Sequence, residues 1–588
     1  MKKHLLIATL AMTASVSLYA QAPKEYAGEA FSALSPNGQY AISSSYESTA
    51  IRNLTTGEVY SYTESYYAGN GNVASNTGVV VGMTMAPMAQ YWKDGEWHDL
   101  PSVADRLMSK ADGITPDGSR IVGSVSPETY GGDYEGMMLV PCYWDMQADG
   151  TPGELHMLPF PEKDFAGRTP QYITALRVSD DGKIIAGQVQ DYSGFVCQPI
   201  VYRQDNNGDW TYALIHDELY HPEGFVLPED PGEGPSTQPE AYMTPDELAA
   251  YEQALAAYEQ AMDEWYAEGT WDYDTMPVYP DAADYMGDAS KAAFEAALAA
   301  AEEWDAKWTE YSEAFQELCE MVPGFTFNNV LMSGDGKLYA STAQSGDFFT
   351  GYSYVPYVYN LNDDTYTAYT DNEESLIVSS MANNGTLLAQ VPQSFTNPAA
   401  QAYIMPAGTD KFVPLYDYFT TANPSLAEWM KDNMTHEYTM YDWYYDEDLD
   451  DYVETSTTEE VLATGIPFTN ADMTIIATAV ENFWFDWANG DPDTYVDVYG
   501  YILPLNYVST DIATMDATKA HAVVKGMVGG TLAFTGEVAS ATVYDMAGNM
   551  VYAVKAPEST VATGLNKGIY VVKMVAADGT TTTTKVAL

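Results

Sequence analysis

The sequence predicts an all-β protein with a helical insertion: a seven-bladed β-propeller, an antiparallel helical hairpin between two blades, and a C-terminal β-sandwich. Three observations predict it. A turn-and-strand phrase recurs along the chain, a stretch with helical apolar stepping interrupts it, and two-residue alternation takes over at the end. The phrase is clearest over residues 115–125, TPDGSRIVGSV. It recurs with turns at Asn37-Gly38, Thr77-Gly78, Asp181-Gly182, Asp335-Gly336 and Asn384-Gly385, and in a worn form at Asp472. Repetition at about 40 residues, four strands' worth, marks an array in which no unit buries both faces alone.

Each part of the phrase has a physical role. Asp or Asn before Gly makes a turn, because the side chain bonds the local backbone and Gly accepts a positive φ. The following strand is short and apolar at successive positions, as at Ile121-Val122 and Ile184-Ile185, so it reads as covered on both faces. A small residue comes next: Ser43, Gly82, Gly123, Gly187, Ser341 or Ala477, with Gln390 departing beside Ala389. Convergence of the blades on an axis is the expected reason. An aromatic third strand (QYW, PCYW, PIVY, PYVY) and a polar hairpin with a last strand close most units. The pattern loosely resembles extracellular propeller repeats related to WD-type blades, over about residues 30–505. The resemblance implies a fold and nothing about activity. The propeller is bounded at 26–505.

Charge excludes one class of partner. The chain has 588 residues and a formal charge of −60, so nucleic acid and anionic membranes repel it at long range. The excess belongs to the propeller and its insertions. From residue 510 onward six carboxylates, Asp511, Asp516, Glu537, Asp545, Glu558 and Asp578, face six lysines. Residues 1–20 read as an export signal, with Lys2-Lys3, the apolar run LLIATLAM and small residues up to Ala20. No later apolar run is long enough for a transmembrane helix. Three cysteines form no disulfide framework. Cys142 and Cys197 occupy corresponding strands of neighbouring repeats, where a single bridge is conceivable and buried free thiols are expected.

Two insertions break the repeat. Residues 217–325 hold a Pro/Gly/Glu linker and two helical patterns, the first capped by Thr244-Pro245-Asp246-Glu247. Leu248, Tyr251, Leu255, Tyr258, Met262 and Trp265 give one stripe; Phe294, Leu298, Ala301, Trp304 or Trp308, Tyr311, Phe315 and Leu318 give the other. An antiparallel hairpin, stripe on stripe, is the expected packing. Residues 419–464 read as an aromatic and acidic loop. Both insertions, and the shorter segment 159–174, follow a last strand and precede a first one, so they are expected on one face.

The candidate ligand residues lie in the second insertion: Tyr441, Asp442, Trp443, Tyr444 and Tyr445, rings beside carboxylates, as sugar recognition needs. A packed loop with a solvated acidic rim reads the same residues without a ligand. Asp446, Asp448, Asp450 and Asp451 are weak Ca2+ candidates, lacking the Gly and terminal Glu of an EF-hand loop; no other cofactor is implied. Asp205 to Asp209 reads as a hairpin turn. His216 and His221 match no zinc helix, and no nucleophile elbow, phosphate loop or carboxylate pair stands out.

The tail, 510–588, alternates in strands around Gly and Asn turns, as a small β-sandwich does. Tyr544-Asp545, Gly548, Gly568-Ile569-Tyr570, Lys573 and Lys585-Val586 resemble the C-terminal sorting domain of the type IX secretion system of Bacteroidetes. The final Ala587-Leu588 departs from the basic ending frequent there. The resemblance implies a module read by outer-membrane secretion machinery and removed, leaving the protein extracellular or attached to the cell surface. The functional expectation is a binding module for a glycan or protein ligand; the rival is a carbohydrate-active enzyme, glycosidase or lyase, with acids at the propeller channel.

Overall fold

The computed structural model describes residues 22–587 except 45–47, 64–69, 85–87, 103–107, 127–138, 192–193, 195, 233, 270–274, 348–350, 373, 393–398, 447–450, 487–492, 508–522, 528–530, 536–537, 546–549, 556–558 and 577–580. Two compact units divide at Tyr507 and Val508. The first is dominated by four-stranded antiparallel sheets, each a meander in chain order: 31–63, 70–99, 109–157, 172–214, 325–368 and 377–414. One more joins three strands of 466–504 to strand Lys24–Ala27, which pairs Lys24 with Ile502 and Ala27 with Tyr499. Sequence left this closure open.

Neighbouring sheets touch throughout, and the last returns to the first, where strand Phe31–Leu34 meets Ile466–Thr469 and Ile475–Asp486. The core therefore lies between sheets. Ile121, Val140 and Trp144 of the third sheet pack with Val81 and Tyr91 of the second, while its Val122 and Tyr143 pack with Ile185 and Ile200 of the fourth. Arg120 fastens the same pair. It grips the Asp145 carboxylate at 2.6 and 3.1 Å, donates to Gly182 O at 2.7 Å, and lies over the rings of Tyr143 and Trp210.

The recurrent small residue has a cause other than the axis. In all but the last sheet the first strand is bulged, for example between Ala111 and Gly113 and between Ala175 and Arg177. The residue opposite the bulge is the small one. A Cβ on Gly187 would lie 2.8 Å from the carbonyl carbon of Thr174, and one on Gly123 would lie 3.0 Å from that of Lys110. The close approach is thus to the adjacent strand of the same sheet. In the sixth sheet Ala389 faces the bulge, paired with Val378, so it and not Gln390 is the equivalent position. Ser341 uses its hydroxyl there, donating to Asn329 O at 2.5 Å.

The first insertion contains α1 (Pro245–Glu268) and α2 (Asp288–Met321). The capping box forms as expected, Thr244 with Glu247. The antiparallel hairpin does not. Glu247, in the first turn of α1, accepts from Gly287 N at 2.7 Å and Ser290 Oγ at 2.6 Å, so the two helices start side by side. The connection runs back along α1, with Tyr279 against Tyr258 and Tyr285 against Tyr251. The acidic linker runs along α2: Tyr242 meets Phe294, and Trp304 Nε1 donates to Gly232 O at 3.0 Å. Trp and Tyr rings suit this packing because each joins a large apolar face to a polar handle, as Trp304 shows by covering the linker and donating to it.

The second insertion is also not a loop. It holds α3 (Leu415–Ala422), α4 (Pro424–Asn433) and a hairpin of strands Thr435–Asp446 and Asp451–Leu462. Asn423 caps α4 through Leu426 N, and its amide donates to the carbonyls of Leu505 and Tyr507. In the second unit, strands Val523–Met527, Thr531–Thr535 and Thr560–Ala562 form one sheet; Val538–Tyr544, Met550–Lys555, Ile569–Ala576 and Thr581–Ala587 form another. Leu532, Phe534, Val543, Val572, Met574 and Val586 give the two sheets one shared core.

Candidate functional site

Because strands alternate in direction, the Asp-Gly turns lie on one rim, and every passage from a last strand to the next first strand lies on the other. Both insertions and segment 158–171 therefore emerge on the same face, as the order of elements implied.

The turns of the Asp-Gly rim are stitched to one another. Asn76 N donates to Pro116 O at 2.8 Å, Asp180 N to Gly334 O at 2.7 Å, Asn383 N to Ala471 O at 2.8 Å and Ala471 N to Pro36 O at 2.9 Å. Side chains extend the belt, with Asn76 Oδ1 accepting from Asn37 N and Asn383 Oδ1 from Gly334 N, each at 2.7 Å. Asp and Asn thus bond between turns as well as within them. Asp117 Oδ1 and Asp181 Oδ1 make the local bonds, which hold both carboxyls below their ordinary range.

First strands from every sheet of the ring surround one cavity of about 210 Å³. Its charged lining residues are Arg177 and Asp180. Beside it Lys110 reaches Asn328 Oδ1 at 3.4 Å and Asp112 Oδ2 at 4.0 Å, and Arg177 donates to the carbonyls of Asp112 and Leu176. Lys110 belongs to the third sheet and Asn328 to the fifth, so this side chain spans the fourth. Burial pushes the Asp112 carboxyl up, against the pull of Lys110 and Arg177. Asn328 has φ of 62°, inside an enlarged bulge between Phe325 and Val330, and its N–H donates to Gln188 Oε1 at 2.8 Å.

The larger space is on the insertion face. A cleft of about 1070 Å³ lies between the C-terminal half of α2 and the fourth and fifth sheets, lined by Arg168, Gln190, Trp308, Tyr311, Phe325 and Tyr352 among others. Its helical wall is a ladder of rings one turn apart, Trp308 on Tyr311 at 5.9 Å and Tyr311 on Phe315 at 6.1 Å, and Trp304 extends the ladder beyond the cleft by stacking on Trp308 at 5.5 Å. The third connection supports it, with Phe165 against Phe315 and the Arg168 guanidinium over Trp308 and Tyr311. Asp230 of the linker holds Arg168 at 2.7 Å. Burial raises Tyr311 to about 12, Arg168 opposing and Asp230, Asp164 and Asp191 adding to the rise. Cys197 and Cys319 also line the cleft as free thiols, raised by burial, Cys319 to about 12; Cys142 is a buried free thiol elsewhere.

The sequence-predicted ligand residues sit elsewhere. Tyr441, Asp442, Trp443, Tyr444 and Tyr445 lie on the outgoing strand of the second insertion's hairpin, Tyr441 opposite Ser456 and Tyr445 opposite Tyr452. Their side chains lie outside the described residues. Asp446 pairs with Asp451 at the end of the ladder, while Asp448 and Asp450 lie outside the described residues altogether. Asp205 is a turn residue, accepting from Asn207 N at 2.8 Å and Asp209 N at 2.9 Å. His216 meets Glu218 at 2.7 Å and His221 meets Asp217 at 3.4 Å. The cleft is not legible in the sequence because its residues come from four separate stretches, at 168, 190–197, 308–327 and 344–352; the stripe over Trp304 to Phe315 is visible, but reads as core against a second helix.

In the second unit Tyr544, Tyr570, Lys573 and Lys585 come together in one sheet. Lys573 pairs with Thr542 on one side and Thr583 on the other, and Lys585 pairs with Val571. Tyr570 OH donates to Asn566 O at 2.9 Å, and Gly568 lies under the Tyr570 ring. Asp545 follows the strand that ends at Tyr544, while Gly548 is outside the described residues. In the described residues no helix is long and apolar enough to cross a membrane.

No family model matches the chain, and no curated protein matches it. Among solved structures it is similar to an oligogalacturonate lyase from Vibrio parahaemolyticus, with 8% identity over 82% of this chain and 92% of that one at a TM-score of 0.37. It is similar to the β-propeller domain of the Trilobed protease from Pyrococcus furiosus, with 8% identity over 80% and 94% at 0.27. It is also similar to the RRP9 WD40 repeats, with 7% identity over 82% and 99% at 0.33. With scores this low, the architecture rests on the chain's own closed circuit of four-stranded antiparallel sheets.

Proposed function

We propose that this chain is a secreted or cell-surface binding module: a seven-bladed β-propeller that presents its ligand site on the insertion face, followed by a β-sandwich that serves as a type IX sorting domain. The ligand is a glycan or a protein. The observation that carries the reading is the contrast between two spaces: about 1070 Å³ open under α2, against about 210 Å³ in a channel belted at one rim and flanked by the Lys110 span. Recognition on inserted segments held by a rigid ring is the usual arrangement. Probing glycan and protein arrays with the chain tests it, with Trp308→Ala as the comparison; retention that this change abolishes supports the cleft, and retention it leaves untouched moves the site elsewhere.

Asp112 keeps the enzymatic rival in play. Its Oδ2 is buried with no hydrogen-bond partner among the described residues, and burial raises its carboxyl, as a general acid requires. Product release from a polysaccharide, abolished by Asp112→Asn, would replace the binding reading with a carbohydrate-active enzyme. The export assignment rests on the strand holding Gly568-Ile569-Tyr570 and the Lys585-Val586 strand beside it. Removing 508–588 is expected to keep the product inside the cell; its appearance outside would refute the sorting role.

A further inference from the structure

We infer that the cleft under α2 takes an uncharged saccharide chain, with the Tyr311 and Thr326 hydroxyls as its hydrogen-bonding anchors. The inference deepens the binding reading above and rests on it. Its first support is a pair of unmet hydrogen bonds. Tyr311 is 1% exposed and lines the cleft, yet its OH has no partner among the described residues; the buried Thr326 Oγ1, also lining the cleft, has none either. A buried hydroxyl without a partner is costly, so two at one cavity point to a ligand that bonds there. Both groups donate and accept, as the hydroxyls of a sugar do. Tyr311 stays protonated across the physiological range, its ring fixed between Trp308 and Phe315.

The second support is charge. The carboxylates of Asp164, Asp191 and Glu320 are close enough to raise the Cys319 thiol, and Asp230 adds to the field at Tyr311. Arg168, the cation at the wall, already has Asp230 and two ring faces as partners. Carboxylates thus outnumber the guanidinium around the cleft, and an anionic sugar would meet a net negative field that a neutral one would not. The third support is size. A cavity of about 1070 Å³ lies at the upper end of what drug-sized molecules fill, which suits several linked sugar residues.

The test titrates the full chain with neutral hexasaccharides (cellohexaose, xylohexaose, mannohexaose) and an anionic one, hexagalacturonate, by calorimetry at low salt. Binding of at least one neutral probe, about tenfold or more tighter than the anionic one, is expected. Tyr311→Phe removes one oxygen and is expected to weaken that probe about fivefold to tenfold, while thermal stability is kept or rises because an unmet hydroxyl has gone. Thr326→Val supplies a second, independent loss. Equal binding of the anionic probe, or neutral binding unchanged in both variants, overturns the inference. Retention of a protein in place of any sugar overturns the ligand class while the binding reading stands; retention of neither sugar nor protein overturns both.

Discussion

Replacing Gly187 by alanine tests whether the bulge, and not the axis, sets the small residue in each repeat. Ordinarily the change would help, since a strand glycine without special φ gains about 0.5–1 kcal/mol from a side chain that restricts the unfolded chain. Here the new Cβ would stand 2.8 Å from the Thr174 carbonyl carbon and 3.4 Å from Ala175 Cα. The Thr174 carbonyl oxygen would stand closer still, and carbon atoms settle at about 3.5–4.0 Å from their neighbours, so the first strand must retreat by more than about 1 Å. That retreat disturbs the ladder around Gly187 and Ala175, where two backbone bonds are worth about 1–1.5 kcal/mol each. After the entropic gain is subtracted, the net loss is about 2 kcal/mol, within the usual cost of overpacking. In a ring this large the melting temperature moves by only about 2 °C. Amide exchange at Gln188, flanking the site, reports the loss locally as faster opening. Unchanged exchange at Gln188 with an unchanged or higher melting temperature would refute the bulge argument. Ala389→Gly is the complementary control, expected to lose a few tenths to 1 kcal/mol by ordinary strand entropy.

Glu247 is held down to about 2 by its bonds to Ser290, Thr244 and Gly287. A depressed carboxyl contributes stability above its unfolded value and loses it as pH falls through the folded one, so the junction of α1 and α2 should loosen between about pH 4.5 and 2. Far-ultraviolet circular dichroism should follow it, and Glu247→Gln should flatten that part of the profile. Arg120→Ala should cost about 2–3 kcal/mol by leaving Asp145, Gly182 O and two ring faces without their shared partner, read as a lower urea midpoint. Cys142 and Cys197 should resist a thiol reagent in the native chain, with three thiols reacting in denaturant.

The local grammar was legible because it is local. Asp or Asn before Gly makes the turn at 37, 117, 181, 335 and 384 with its own side chain, and a strand with successive buried residues follows each. Capping by Thr244 and Glu247 was readable for the same reason. What escaped notice depends on partners distant in the chain. Nothing in KEYA announces that Lys24–Ala27 completes the final sheet. An apolar stripe says that Trp304, Trp308, Tyr311 and Phe315 must be covered, not by what. A linker of prolines and glutamates proved able to cover part of it, with Asp230 and Gly232 reaching Arg168 and Trp304. Likewise Ala389 looked displaced until the bulge fixed the register.

The pairing of Lys24 with Ile502 spans 478 positions of chain, 502 minus 24. At ribosomal speeds of about 5–20 residues per second, the first strand exists for roughly half a minute to a minute and a half before its neighbour has been made. Over that interval strand Lys24–Ala27 has no mate, and the seam can be sewn only when strand Asp493–Pro504 emerges. Birth order thus makes the opening four-residue strand the clasp that is fastened last, and a ribosome stalled anywhere before Pro504 leaves an unclosed necklace.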